Sequence, residues 1–451
     1  MPENRSMAGQ NAYMKREIVP GTAETTGFVG IPGIRVKPGW DGDRDTFRGG
    51  GGKVVTTTIG TDENSPWDTE IAACFNHVGF VLASRFGMPT TTTPGGGTLS
   101  RTHVFPINPV AEDSFASYTM LWGDGYVTLR GVYGYFNNFT LDIERGEVTV
   151  ESDFISRAAT FGTPLPTNEK QTVTITGTPA GGTFTLTLPF AIGGSATTGT
   201  IAYNAAASVL AAAIIAVAGG KFTAEDITVT GGPGPGTPYV VEFTGRYAQT
   251  NLAIMTLGTN SLTGGTSPTV VITETTPGAK PTDTPMNPMA ANLWDVYIDA
   301  TWAALGTTKY GGAYSAQAEF GDKYDMDSPI NSAIISYEKP VEKEEQDDTL
   351  ELTIRLGATM VAQAANLAQG VKQFIRLELN TANGQNPYYI EGAIPFIARL
   401  EMCVELVTRG QIDTAPNSGV VVAPLSYVLT KDPTTGNYAQ FTLQNRVLTY
   451  A

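Results

Sequence analysis

Apolar and polar residues alternate along this chain in many short runs, and that period-two pattern predicts β-strands. In the first third, strands are expected over 103–107, 115–122, 126–135, 139–143 and 148–155. Residues 139–155 predict a hairpin, with Glu144-Arg145-Gly146-Glu147 as its turn. The last third predicts strands over 294–298, 314–320, 333–337, 350–356, 374–379, 388–397, 420–429 and 439–448. Helical spacing is rarer. Ile71, Cys74, Phe75, Val78, Leu82 and Phe86 fall on one stripe. Ser65-Pro66-Trp67-Asp68 supplies an N-cap, a first-turn proline and an acid, so a helix is expected over 65–86, stopped by Gly87 and Pro89. A second, shorter helix is expected over 359–369, with Gly370 as its stop.

The middle of the chain has a different character. Between Lys170 and Lys280 four acids meet four bases, so the whole net charge of −15 resides in the flanks. Stretches rich in Pro, Gly and Thr bracket the segment at 161–167 and 276–288. Such stretches resist regular structure and mark boundaries. The division expected is 1–167, 168–281 and 282–451, with the middle part inserted into the other two. Within it, strands are expected over 172–176, 184–189, 198–203, 227–230, 239–244, 253–257 and 269–273, with one Ala-rich helix over 204–217. The two flanks, each with one helix among about eight strands, predict a structural duplication.

Composition narrows the class. Charged residues are 16% and hydrophobic residues 41%, enough apolar material for real cores, and Gly (51) and Pro (28) provide frequent turns. The fold class expected is all-β. Two distant cysteines, Cys74 and Cys403, cannot make a disulfide framework or a four-cysteine metal site. Residues 1–20 carry charges throughout and no apolar run, so no secretory signal is predicted. The most apolar stretch, 205–218, is too short to span a bilayer, which predicts a soluble protein. An acidic chain is a poor DNA binder, because it gains nothing from counterion release. It can still line a DNA passage, where like charge keeps the polymer off the wall.

Catalytic signatures are weak. His77 and His103 have no Ser, Cys or Asp constellation nearby in sequence. Gly49–Gly52 with Lys53 lacks the spacing and following Ser or Thr of a phosphate loop. Asp322-Lys323-Tyr324-Asp325-Met326-Asp327 has Asp where a calcium loop needs Gly. Asn138-Phe139-Thr140 fits a glycosylation sequon but reads better as a strand edge. No enzyme, cofactor or metal is expected.

Two charged features look functional. The predicted hairpin carries Asp142, Glu144, Glu147, Glu151 and Asp153 at alternating positions. The run 338–348 concentrates Glu338, Lys339, Glu342, Lys343, Glu344, Glu345, Asp347 and Asp348 between two predicted strands. It suits a solvated hairpin tip, or a loop that docks on a neighbour by charge complementarity. The Gly/Asp-rich stretch 40–53 is a second candidate contact loop.

Several segments, in order, resemble the tail tube proteins of long-tailed bacteriophages. They are Phe28-Val29-Gly30-Ile31-Pro32-Gly33, the helix end 81–87, the strand–turn–strand segment 135–157, and the final strand near 438–445. The resemblance covers both flanks. The middle segment looks like a module embedded in phage tail proteins that decorates the tube exterior. The resemblance implies packed β-sheets with a flanking helix and long strands that join copies around a closed pore. It implies trimeric rings with pseudo-sixfold symmetry if the unit is duplicated, and hexameric rings otherwise, stacked helically. It further implies a tape measure protein and tail terminator and tip proteins as partners, with DNA passing through unbound. On that basis the 139–155 acids line the pore, with a counterpart near 388–397 or 420–429, and the 338–348 run makes inter-ring contact. The alternatives are another virion part, such as a capsid or baseplate subunit, or a carbohydrate-binding module in the insert through Tyr203, Tyr239 and Tyr247.

Overall fold

The computed structural model describes residues 11–47, 57–107, 116–123, 128–162, 168–189, 194–217, 222–278, 281–327, 336–343, 348–358, 361, 370–383, 387–414 and 419–450. The protein is all-β, built of antiparallel sheets, with two α-helices among the described residues. It divides into two compact units. One is centred on Phe161–Thr282; the other combines Asn11–Trp122, Arg130–Thr160 and Asp283–Ala451.

The second unit contains most of both flanks, so neither flank encloses a core of its own. Among its strands are β1 (Ile34–Pro38), β2 (Asp41–Phe47), β3 (Thr57–Ala72), β4 (Arg101–Ile107), β5 (Phe139–Glu144), β6 (Val148–Glu151), β7 (Phe154–Arg157), β8 (Trp294–Asp299), β9 (Ala313–Phe320), β10 (Tyr324–Asp327), β11 (Lys339–Glu342), β12 (Thr349–Arg355), β13 (Lys372–Asn380), β14 (Ile397–Arg409), β15 (Val421–Leu429) and β16 (Ala439–Asn445). Pairing runs β1–β3–β6–β5–β9–β12–β15–β14. The flanks meet at β5–β9, where Phe139 pairs Phe320 and Asp142 pairs Gln317. They meet again at β4–β16, where Phe105 pairs Phe441. The long strand β14 serves two sheet regions, pairing β16 near its start and β15 near its end. One core holds residues of both flanks, including Phe75, Val81, Phe139, Leu141, Ala318, Leu352, Leu400 and Phe441.

The helix expected over 65–86 is a strand for its first half. β3 runs to Ala72, and helix α1 occupies only Val78–Phe86. Tertiary pairing overrides the cap signal. Ser65 Oγ accepts from the Ala159 N–H at 2.8 Å, and the Trp67 indole N–H donates to Ser156 Oγ at 2.9 Å. Trp67 and Ile71 point into the core while Asp68 and Glu70 stay exposed, a period of two rather than 3.6. α1 ends at Gly87, whose φ of 88° favours glycine. The helix expected over 359–369 falls, but for Val361, outside the described residues.

Among its described residues, the other unit contains two four-stranded sheets and a helix, Ala207–Ile215. One sheet is centred on Lys170–Thr176 between Tyr239–Phe243 and Thr269–Thr276. The second is centred on Gly181–Pro189. Phe184, Leu186, Leu210, Ile214, Val241 and Phe243 share its own separate core.

Candidate functional site

The hairpin over 139–151 has the two strands and the turn that its alternation predicts. β5 and β6 pair from Thr140–Glu151 to Ile143–Val148, and the turn closes with Glu144 N–H to Glu147 O at 2.9 Å. The expected second strand breaks at Ser152 and Asp153 and resumes as β7. Phe139, Leu141 and Ile143 face the core, which puts Thr140, Asp142 and Glu144 on the opposite face. Register carries that face across the sheet. One row runs Glu151, Thr140, Glu319, Thr349, Val428, Glu405; the next runs Thr149, Asp142, Gln317, Glu351, Ser426. Glu319, Glu351 and Glu405 therefore join Asp142, Glu144, Glu147 and Glu151 on one continuous surface.

These carboxylates form no ion pair among the described residues. On β13 and β14, by contrast, acids are matched by arginines: Arg376 meets Glu401 at 2.5 Å and Arg399 meets Glu378 at 2.7 Å. Members of the acidic face two strands apart lie about 10 Å from each other, close to the screening length at physiological salt. Their mutual repulsion is therefore felt. The Asp142 carboxyl is raised above its ordinary value, first by burial and then by the charges of Glu144, Glu151 and Glu147.

Of the two proposed counterparts, 420–429 is β15 and lies on this same sheet. The stretch 388–397 holds a small separate ribbon, Tyr389–Glu391 against Ile394–Pro395, before β14 begins at Ile397. Asp153 lies beyond the end of β6, where the Asn138 side-chain amide donates to its Oδ2 at 2.7 Å. Asn138 also reaches Asp322 at 3.3 Å, and Lys343 sits 3.4 Å from Asp322 and 3.5 Å from Asp325. The pore candidate Asp153 and the contact candidate Lys343 are thus linked through Asn138 and Asp322.

The run 338–348 is not a hairpin tip between 333–337 and 350–356. Ser336 and Tyr337 are not in a strand, and residues 333–335 lie outside the described ones. Instead Lys339 and Glu342 belong to β11, which pairs back onto β10 from Asp327–Lys339 to Tyr324–Glu342. Glu338 is exposed, and its N–H donates to Asp327 O at 2.7 Å. Glu344, Glu345 and Asp347 lie outside the described residues. Asp348 is buried at 2% exposure, so it is not a contact-loop residue. It accepts from the Tyr438 hydroxyl at 2.8 Å and from the Gly321 N–H at 3.3 Å. In the other candidate loop, 40–53, Trp40 is exposed, residues Asp41–Phe47 form β2, and 48–53 lie outside the described residues.

Both histidines are buried. His77 stands just before α1 with Nε2 3.2 Å from Thr284 O. His103 Nε2 donates to Val447 O at 2.8 Å, while its Nδ1 lies 2.9 Å from Thr91 Oγ1. Burial pushes the Cys74 thiol up to about 11, and Cys403 is raised for the same reason. Among the described residues no group of His, Cys, Asp and Glu has the arrangement of a metal site. In the insert, Tyr239 is a core residue: it is fully buried, and its hydroxyl donates to Ala205 O at 2.6 Å. It cannot stack on a sugar. Tyr247 is half-buried against Phe222 at 4.8 Å, and Tyr203 is half-buried as well. No helix among the described residues is long and apolar enough to cross a membrane.

No protein-family model matches the chain, and no curated protein matches it.

Proposed function

We propose that this chain is a structural subunit of a phage tail tube, not an enzyme. Copies assemble into rings, trimeric with pseudo-sixfold symmetry or hexameric, and the rings stack helically into a conduit for DNA ejection. The observation that carries this reading is the unpaired carboxylate face spanning β6, β5, β9, β12, β15 and β14. A sheet face that carries so many unpaired carboxylates repels a phosphate backbone, which favours sliding over binding. The order of the family-like segments supports the same reading. Tape measure, terminator and tip proteins are the partners it calls for, and the virion is its location. The neutral insert suits a peripheral position.

Negative-stain microscopy of the purified protein tests this. Hollow tubes or stackable rings are the expected result. Closed shells point instead to a capsid subunit, and discs that never elongate to a baseplate. A monomer at every concentration refutes the reading. In phage, the combined substitutions Asp142→Asn, Glu144→Gln, Glu147→Gln and Glu151→Gln should slow genome ejection and leave tube length unchanged.

A further inference from the structure

At the turn end of the acidic hairpin lies a cleft of about 380 Å³, lined by Glu144, Arg145, Trp294, Asp295, Tyr314 and Arg355 among others. Its chemistry differs from the face beside it. Asp295 is already matched by Lys309 at 2.6 Å. The guanidinium groups of Arg145 and Arg355 form no ion pair among the described residues, and both are exposed. They outnumber the one remaining carboxylate, Glu144. The Trp294 indole N–H is buried with no acceptor. Two free guanidinium forks and an unserved N–H make a site that lacks acceptors, and carboxylates fit it best.

The chain has one compact source of such groups. Between Lys343 and Asp348 the sequence is Glu344-Glu345-Gln346-Asp347, three carboxylates in four residues. Both ends of this segment are anchored: Lys343 by Asp322 and Asp325, Asp348 by Tyr438 and Gly321. The segment precedes β12, and Arg355 ends it. Seven residues of strand separate the two by about 20 Å. The five links from Lys343 to Asp348 extend to at most about 18 Å in total. They cannot reach the cleft of their own copy and return. This segment can therefore fill such a cleft only on another molecule.

We propose that the Arg145–Trp294–Arg355 cleft receives the Glu344–Asp347 segment of a second copy of this chain. Because the segment and the cleft are unlike surfaces, the contact is heterologous and adds copies head to tail. Its biological setting rests on the tube reading; the binding itself does not.

The test uses the full chain. A synthetic peptide with the sequence of residues 338–348 is titrated while tryptophan fluorescence is followed, with Trp294→Phe as the reporter control. Saturable binding is expected, weakened at least tenfold by Arg145→Ala with Arg355→Ala and by high salt. Circular dichroism checks that the variants fold. In assembly, Arg145→Glu with Arg355→Glu should stop elongation, and adding Glu344→Lys with Glu345→Lys should restore it. A monomer that binds the peptide through these arginines upholds the cleft and refutes the tube. Tubes indifferent to the charge reversal, with no saturable peptide binding, refute the cleft and leave the tube standing.

Discussion

Tyr438 and Asp348, each just ahead of a strand, are joined by a 2.8 Å hydrogen bond with the phenol donating to Oδ2, although they lie 90 residues apart. Burial and the Asp348 charge both push the Tyr438 hydroxyl upward, so it stays a donor. Arg85 of α1 is also buried, and the charge that most favours its ionised form is that of Asp348. The last acid of the 338–348 run is thus the anchor between helix, sheet and the start of β12.

Removing that anchor leaves Arg85 buried without the charge that most favours its ionised form. Asp348→Ala should therefore cost about 3–5 kcal/mol, the range for breaking one side of a buried pair. Glu338→Gln, on an exposed side chain of the same run, should change stability by less than about 0.5 kcal/mol. Urea unfolding of the two variants measures the contrast. Equal midpoints would show that Asp348 is not structural.

Acid should loosen the larger unit before its carboxylates titrate. Burial lowers His77 from 6.5 to about 4, opposed by its hydrogen bond to Thr284 and the charge of Asp283. A base depressed on folding binds protons more readily when unfolded. Stability is therefore full above pH 6.5 and falls as pH drops from 6.5 towards 4, by about 3 kcal/mol. His77→Gln should flatten that part of the curve, measured as thermal midpoint against pH. An unchanged slope would assign the acid loss to other groups.

What could be read in advance was local. Phe139, Leu141 and Ile143 against Asp142 and Glu144 declare a half-buried strand, and Arg145-Gly146 declares the turn between its partners. The strand through Ser65 and Trp67 was hidden because its signals compete: Ser-Pro-x-Asp mimics a helix start, and only Ser156, Phe154 and Ala159, about ninety residues away, decide otherwise. Glu319 and Glu351 each alternate with core residues in expected strands, so each is visibly outward, whereas Glu405 lies in β14, most of which falls outside the expected strands. That they share a face with Asp142 follows from β5–β9, β9–β12, β12–β15 and β15–β14 pairing, which no local pattern encodes. Asp348 departs from the expected contact loop because a charge run reads as solvated until a buried partner is known.

In the insert, Asp226 is fully buried while Arg246 remains largely exposed, with N–O contact at 2.6 Å. Burial raises the Asp226 carboxyl, but hydrogen bonds from Arg246 and Thr223 outweigh it and hold it at about 2. The acid is depressed on folding, so its contribution is present above about pH 4 and lost as pH falls through 2. Arg246→Ala should weaken the module by about 1.5–3 kcal/mol at pH 7, the worth of hydrogen bonds to a charged group. Hydrogen exchange of strand Tyr239–Phe243 in the full chain reports it locally. Protection lost equally in both units would contradict a module-specific role.

Asp142 should behave in the opposite sense. Its carboxyl is raised by burial and by Glu144, Glu151 and Glu147, so the folded state holds its proton more tightly than the unfolded chain. Stability is then reduced above the raised value and recovered as pH falls through it, complete below the ordinary carboxylate range. Asp142→Asn should stabilise the protein at pH 7 by about 0.2–1 kcal/mol, the scale of cross-strand charge pairs. The gain should vanish at low pH, where the wild-type group is neutral too. A variant less stable than wild type at pH 7 would mean that the carboxylate has a counter-charge, and the acidic face would lose its defining property. A stable variant with normal tubes but slower ejection is the pattern expected if selection has kept a destabilising charge on this sheet for what passes over it.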